Sequence, residues 1–171
     1  MTTIERPSGQ AILAALDAAA VEFVVALPDI VTSEGVLWPL ALRGRPRLVR
    51  ICKEDEGVSI CAGLSFTGKR AVLMMQQTGL MDSLNAIRAI GMEYRLPIAM
   101  LVGLQGKEPH LKPRASASYG VRIIEPVLDA MGVPHHLVEE PGDVGRIAPA
   151  IDAAYARSMP VCILIGRNPT P

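Results

Sequence analysis

Glu54, Asp55 and Glu56 stand together where an apolar stretch, Leu48 to Cys52, gives way to a run with helical spacing. Three carboxylates at a helix start have an ordinary explanation, because the N-terminal end of a helix favours negative charge by about 0.3–1 kcal/mol per group. They also have a chemical one, since a carboxyl group beside a bound ligand can donate, accept or relay a proton. Nine residues past Glu54, Gly63 sits among small residues, which lets another chain approach the helix closely. A second apolar stretch, Ala71 to Met75, opens into Gln76-Gln77-Thr78-Gly79-Leu80-Met81-Asp82, a strand-to-helix turn with exposed backbone. Open α/β sheets build ligand sites from such neighbouring strand ends, at the carboxyl side of the sheet.

Other residues have competing explanations. Asp29 follows Leu27-Pro28 and reads either as an Asx turn or helix cap, or as an acid at the mouth of the same crevice. Lys107, His110, Lys112 and Arg114 make the stretch from Gly103 to Tyr119 basic. Such a loop is either solvated or a receptor for an anion, for which Arg is well suited. Cys52, Cys61 and Cys162 are an odd set without metal-ligand spacing and read as buried, reduced thiols of a cytoplasmic protein. His135 and His136 read as strand-edge residues, and Glu140-Pro141-Gly142-Asp143 as a turn capped by Asp143. No metal site is expected.

The elements that must position these residues alternate along the chain. Ser8 caps a helix with Ile12, Leu13, Leu16 and Ala20 at helical spacing, and Phe23 to Leu27 is a buried strand. A weaker helix, Ser33 to Arg43, is interrupted by Pro39. Strands follow at Leu48 to Cys52, Ala71 to Met75, Ile98 to Val102, His136 to Val138 and Val161 to Ile165. Helices are expected at Glu54 to Thr67, over Leu80, Leu84, Ile87 and Tyr94, over Ile123 to Met131, and at Asp143 to Tyr155. Apolar strands separated by amphipathic helices imply a three-layer α/β/α domain over residues 1–171, with a six-stranded, mostly parallel, doubly wound sheet.

Composition narrows the function. Half the residues are apolar and a fifth charged, which suits a large core and a permanent subunit interface. The 17 basic and 17 acidic side chains cancel, and only 4% of residues are aromatic, which argues against nucleic-acid binding. No run reaches the ~18 apolar residues of a membrane helix, and the first residues lack a signal-peptide core.

Taken together, Glu54, Gly57, Cys61 and Gly63, then Thr78-Gly79, Asn85, Pro97 and Gly103 resemble the pyrimidine-binding (PYR) domain of thiamine-diphosphate-dependent decarboxylases. Within that family the nearest likeness is to the α subunit of sulfopyruvate decarboxylase and to phosphonopyruvate decarboxylases. They share E-x-E-x-V-x-I-x-A-G, the Q-x-[ST]-G-L turn, S-[LI]-N-A, and a later motif that here reads Val127-Leu128-Asp129-Ala130-Met131-Gly132-Val133-Pro134. The likeness covers nearly the whole chain. It implies that Glu54 hydrogen-bonds the pyrimidine ring nitrogen of thiamine diphosphate, favouring the tautomer that takes the thiazolium proton. That role asks for an apolar, water-poor setting that raises the carboxyl pKa. Gln77, Thr78, Gly79, Leu80 and Met81 would border the pyrimidine, Met81 standing where relatives often have Gly. Asp29 would be a second catalytic acid, and His110, Lys112 and Arg114 would bind the anionic end of a 2-oxo acid.

The diphosphate and Mg²⁺ would then be held by a separate β subunit carrying the diphosphate-binding (PP) domain, in a hetero-oligomer with several copies of each chain. The expected activity is decarboxylation of sulfopyruvate or phosphonopyruvate. The alternatives are a non-catalytic, flavodoxin-like ligand-binding or regulatory module, and a carboligating enzyme of the same cofactor class.

Overall fold

The computed structural model describes residues 5–171. Ser8 caps α1 (Gly9–Ala18) by accepting a hydrogen bond from Ala11 N at 3.4 Å, and Ile12, Leu13 and Leu16 are buried. The helix stops before Ala20, which takes φ 52° and is exposed, so the fourth expected contact belongs to Ala19 instead. Pro39 does not break its helix. A π-helical turn (Ser33–Leu37) leads into α2 (Trp38–Arg43), placing Pro39 in the first turn, where a missing N–H costs nothing.

The strands are β1 (Phe23–Ala26), β2 (Arg47–Arg50), β3 (Ala71–Gln76), β4 (Ala99–Gly103), β5 (His135–Val138) and β6 (Val161–Ile165). They form one sheet in the order β2-β1-β3-β4-β6-β5, and every pair is parallel. The pleat sends alternate residues to two cores. Val24, Val72, Met74, Leu101 and Ile163 pack with α1, α2 and α8 (Ile147–Arg157). Val25, Leu73, Met75, Met100 and Leu164 pack with α3 (Glu54–Phe66), α4 (Gln77–Asp82), α6 (Tyr119–Arg122) and α7 (Ile124–Met131). Gly57 lets α3 lie against the sheet, because a Cβ there would come within 2.7 Å of Ile51 Cδ1.

Two expected elements are subdivided. The helix read from Leu80 to Tyr94 consists of α4, a short α5 (Leu84–Ala86) and a π-helical turn (Ile87–Glu93). Wider π winding rotates the following residue off the buried face, so Leu80 and Ile87 are fully buried while Tyr94 is 76% exposed. The helix expected from Asp143 begins as a 3₁₀ turn (Pro141–Arg146) before α8. Asp143 caps it, accepting from Glu139 N and Glu140 N at 3.0 and 3.1 Å. No helix of the described residues is long and apolar enough to cross a membrane.

Cys61 and Cys162 are buried, and burial pushes the Cys61 thiol up to about 12 and raises Cys162 as well. Cys52 departs from expectation: it lies just past β2 and is exposed. Ellman's reagent should therefore titrate one thiol in the native protein and three after denaturation. Two fast-reacting native thiols would contradict this packing.

Candidate functional site

The carboxyl edge of the sheet opens where neighbouring strands send the chain to opposite faces. After β1 the chain turns to the α1/α2/α8 face, while after β2 and β3, which flank it, the chain turns to the α3/α4 face. A crevice is left over the end of β1, the position at which such sheets bind ligands. Two concavities, of about 480 and 610 Å³, lie elsewhere, along α8 and at the start of β2. Neither is lined by Glu54, Asp29, the 77–81 turn or the 107–114 loop.

Glu54 is the first residue of α3, and its side chain reaches across to α4. A Cβ added to Gly79 would collide with Glu54 Cγ, Cδ and Oε1, so the glutamate occupies the room that a side chain at 79 would take. The neighbouring acids are employed locally. Asp55 Oδ2 accepts from Lys53 Nζ at 3.2 Å, and Lys53 also lies 3.3 Å from Asp82, which together raise the lysine pKa. Glu56 accepts from Cys52 N at 3.2 Å and closes the start of the helix. Among the described residues Glu54 has neither a hydrogen bond nor an ion pair from its carboxylate. It is half-buried in this chain, so the water-poor setting expected of it is not supplied by this chain alone.

The turn beside it divides into exposed and structural residues. Thr78 is exposed, Met81 half-buried, and Gly79 buried beneath Glu54. Gln77 is 4% exposed and committed: its Nε2 donates to Gln105 O at 2.9 Å and its Oε1 accepts from Gln105 N at 2.8 Å. Leu80 is fully buried, its side chain packed in the sheet core. Helix α4 starts directly from β3, and Met81 fits it without distortion.

Asp29 lies at the end of β1, 7% exposed. Its Oδ1 accepts from Val31 N at 2.7 Å and Thr32 N at 2.8 Å, and its Oδ2 accepts from the Thr32 hydroxyl. This is the turn-capping arrangement, and it borders Gly103, where a Cβ would stand 2.8 Å from Asp29 Oδ1. The ends of β1 and β4 therefore meet at the crevice.

The basic loop is ordered by its own charges. Arg114 turns away to α7, paired with Asp129 and with Glu125 at 3.3 Å, so the structure does not aim it at the crevice. Lys112 is 2.6 Å from Glu139 Oε2, and His110 is exposed. Sequence reasoning missed the anchor: Lys107 and Glu139, with side chains 0% and 3% exposed, lie 2.5 Å apart. Burial alone would raise the Glu139 pKa, but the ammonium groups of Lys107 and Lys112 outweigh it and hold the carboxyl below its usual range. The sequence signal for this pair is a charge placed directly after a half-buried edge strand, 32 residues from its partner. Among the described residues no cluster of three or more His, Cys, Asp or Glu could hold a metal.

Fold and site together define an all-parallel α/β domain with an unpartnered carboxylate at the sheet switch point. No protein-family model matches the chain. Over 159 residues, 92% of this chain and 94% of the relative, it is 26% identical to the sulfopyruvate decarboxylase subunit alpha of Methanothermobacter thermautotrophicus. To the subunit alpha of Methanococcus maripaludis it is 27% identical over 119 residues, 68% of this chain and 70% of that one. To that of Methanocaldococcus jannaschii it is 29% identical over 114 residues, 66% of each. The resemblance read from the motifs holds: the chain is similar to sulfopyruvate decarboxylase α subunits over most of its length.

A carboxyl whose folded pKa is depressed contributes stability above its unfolded pKa and loses it as pH falls through the folded value. The Tm difference between wild type and Glu139→Gln should therefore narrow as pH falls below the usual carboxyl range and through the depressed folded value. A constant gap across that range would contradict the ion-pair assignment.

Proposed function

We propose that this chain is the α, pyrimidine-binding subunit of a two-chain thiamine-diphosphate-dependent decarboxylase of the cytoplasm. Its substrate would be a three-carbon 2-oxo acid with a second anionic group, sulfopyruvate or phosphonopyruvate. One observation carries the reading: Glu54 is laid over Gly79 with an uncommitted carboxylate, while Asp55 and Glu56 beside it serve the helix start. The similarity to relatives named as α subunits of sulfopyruvate decarboxylase supports it.

The residues present fit the cofactor's pyrimidine half. Gly79 makes room for the Glu54 side chain and Gly103 for Asp29 and Val31, and Thr78 offers an exposed hydroxyl. When bound, thiamine diphosphate supplies the electron sink that lets carbon dioxide leave a 2-oxo acid. Glu54 would present its carboxyl to a ring nitrogen of the bound group. Thr78, Gly79 and Met81 orient the ring against that carboxyl, and the Gln77 clamp on Gln105 keeps the turn in place. Asp29 acts by fixing the Val31–Thr32 turn at the crevice wall. Of the loop residues expected to meet a substrate anion, exposed His110 is the one left uncommitted among the described residues, Lys112 being paired with Glu139 and Arg114 engaged on α7.

Burial by a partner completes the site. Apolar surface from a partner would take the half-buried Glu54 carboxyl out of water. That cover, with the diphosphate and Mg²⁺, falls to a β subunit bearing the PP domain. Gly63 on the outer face of α3 has open space where its Cβ would be, so close approach of such a partner meets no obstruction there.

Glu54→Gln should lower turnover by the reconstituted α–β complex about 100-fold or more while leaving assembly unchanged in light scattering. Turnover within threefold of wild type would reject the reading. Gly79→Ala should leave the isolated chain within about 1 kcal/mol of wild-type stability, because Glu54 can swing aside. The same variant should lose turnover at least tenfold in the complex, because the displaced Glu54 no longer faces the ring.

A further inference from the structure

The sheet has a second crevice, and the chain fills it. Strands β4 and β5 flank β6 just as β2 and β3 flank β1. The chain leaves β4 toward the α6/α7 face and leaves β5 toward α8, so an opening forms over the end of β6. Glu139 lies in it, with its Cγ 2.7 Å from where a Cβ on Gly166 would stand. Lys107 enters from the β4 side and pairs with it, both side chains being almost wholly buried. Arg167 closes the top by donating to Pro109 O at 2.8 Å and to Glu139 O at 3.2 Å. One crevice thus carries an uncommitted carboxylate, and the other a carboxylate shared by two lysines.

The two are physically connected. Lys107 stands two residues beyond Gln105, whose backbone N–H and C=O are both held by the Gln77 side chain. Gln77 begins α4, the helix that presents Gly79 to Glu54. Across the 104–118 loop, Glu108 also accepts from the Ser116 hydroxyl at 2.7 Å and from Ala117 N at 3.0 Å. Removing the negative charge at 139 would leave the buried ammonium of Lys107 without its counter-ion, a state costly enough to drive the lysine out to water. Its withdrawal would pull on Gln105 and on the turn that Gln105 steadies.

We propose that Glu139 is a positioning residue for the candidate site. By anchoring Lys107 it fixes the 104–118 loop in one shape without any partner chain, and through Gln105 and Gln77 it sets the turn that carries Gly79. The effect on catalysis rests on the function proposed above; the effect on the loop does not.

The test has two arms. In the isolated chain, trypsin can cut the loop after Lys107 and Arg114, while the Lys112–Pro113 bond resists it. Wild type should be cut slowly at these two bonds, and Glu139→Gln at least tenfold faster with its circular dichroism spectrum retained. Gln77→Ala, which leaves the buried charges untouched, should also speed the cut after Lys107 and keeps the proposal testable should Glu139→Gln fail to fold. Loop cleavage at the wild-type rate in both variants, or in Gln77→Ala alone where Glu139→Gln does not fold, would overturn the proposal. In the reconstituted complex, Glu139→Gln should raise the apparent KM for thiamine diphosphate by more than it lowers kcat. Combined with Gln77→Ala, the increase in KM should be smaller than the product of the two single effects. Multiplicative effects would refute the connection through Gln77. A wild-type complex without turnover would speak against the functional reading, and the cleavage rates would still decide the loop.

Discussion

The absent side chain at position 79 is the constraint on which the site depends. Glu54 starts a helix after an edge strand, and Gly79 sits in the first turn of a helix after a strand two places away in the sheet. The two meet only because β2 and β3 both send the chain to the same face while β1 between them sends it to the other. Any residue larger than Gly at 79 takes the space that the glutamate fills. Fold topology, local backbone and one carboxylate are thereby tied to a single contact.

Charge is distributed along the carboxyl edge with a clear division of labour. Asp55, Glu56, Asp29 and Asp143 each satisfy a local backbone or lysine need, as carboxylates at turns and helix starts commonly do. Glu139 is buried and compensated by two ammonium groups, which is what a charge in the interior requires. Glu54 differs from all of these in having no such duty. Among the described residues it is the carboxylate at the switch-point crevice that meets no donor, which is the feature the proposed function rests on.

Much of this was legible in the residues because its signals are local. Apolar runs bounded by Gly, Pro and acidic residues locate the strands, and β6 falls where its run predicts. The helix starts at Ser8 and Glu54 and the cap at Asp143 follow from short-range chemistry that tertiary context did not override. What stayed hidden is non-local or depends on winding. The π-helical turn at Ile87–Glu93 hydrogen-bonds one residue further along than an α-helix, and no residue type announces it, so Tyr94 was assigned to a face it does not share. The pairs Lys107–Glu139 and Gln77–Gln105 join segments about 30 residues apart through the sheet order, which periodicity does not encode. Arg114 read as an anion receptor because its partners Glu125 and Asp129 belong to a helix whose orientation is set only by packing.

The most direct test is a crystal structure of the chain assembled with the proposed diphosphate-binding partner and thiamine diphosphate. The account requires a Glu54 carboxyl oxygen within hydrogen-bonding distance of a pyrimidine ring nitrogen, about 2.6–3.2 Å, with partner residues excluding water around it. A Glu54 side chain still open to solvent in that assembly, with the ring bound elsewhere, would contradict it.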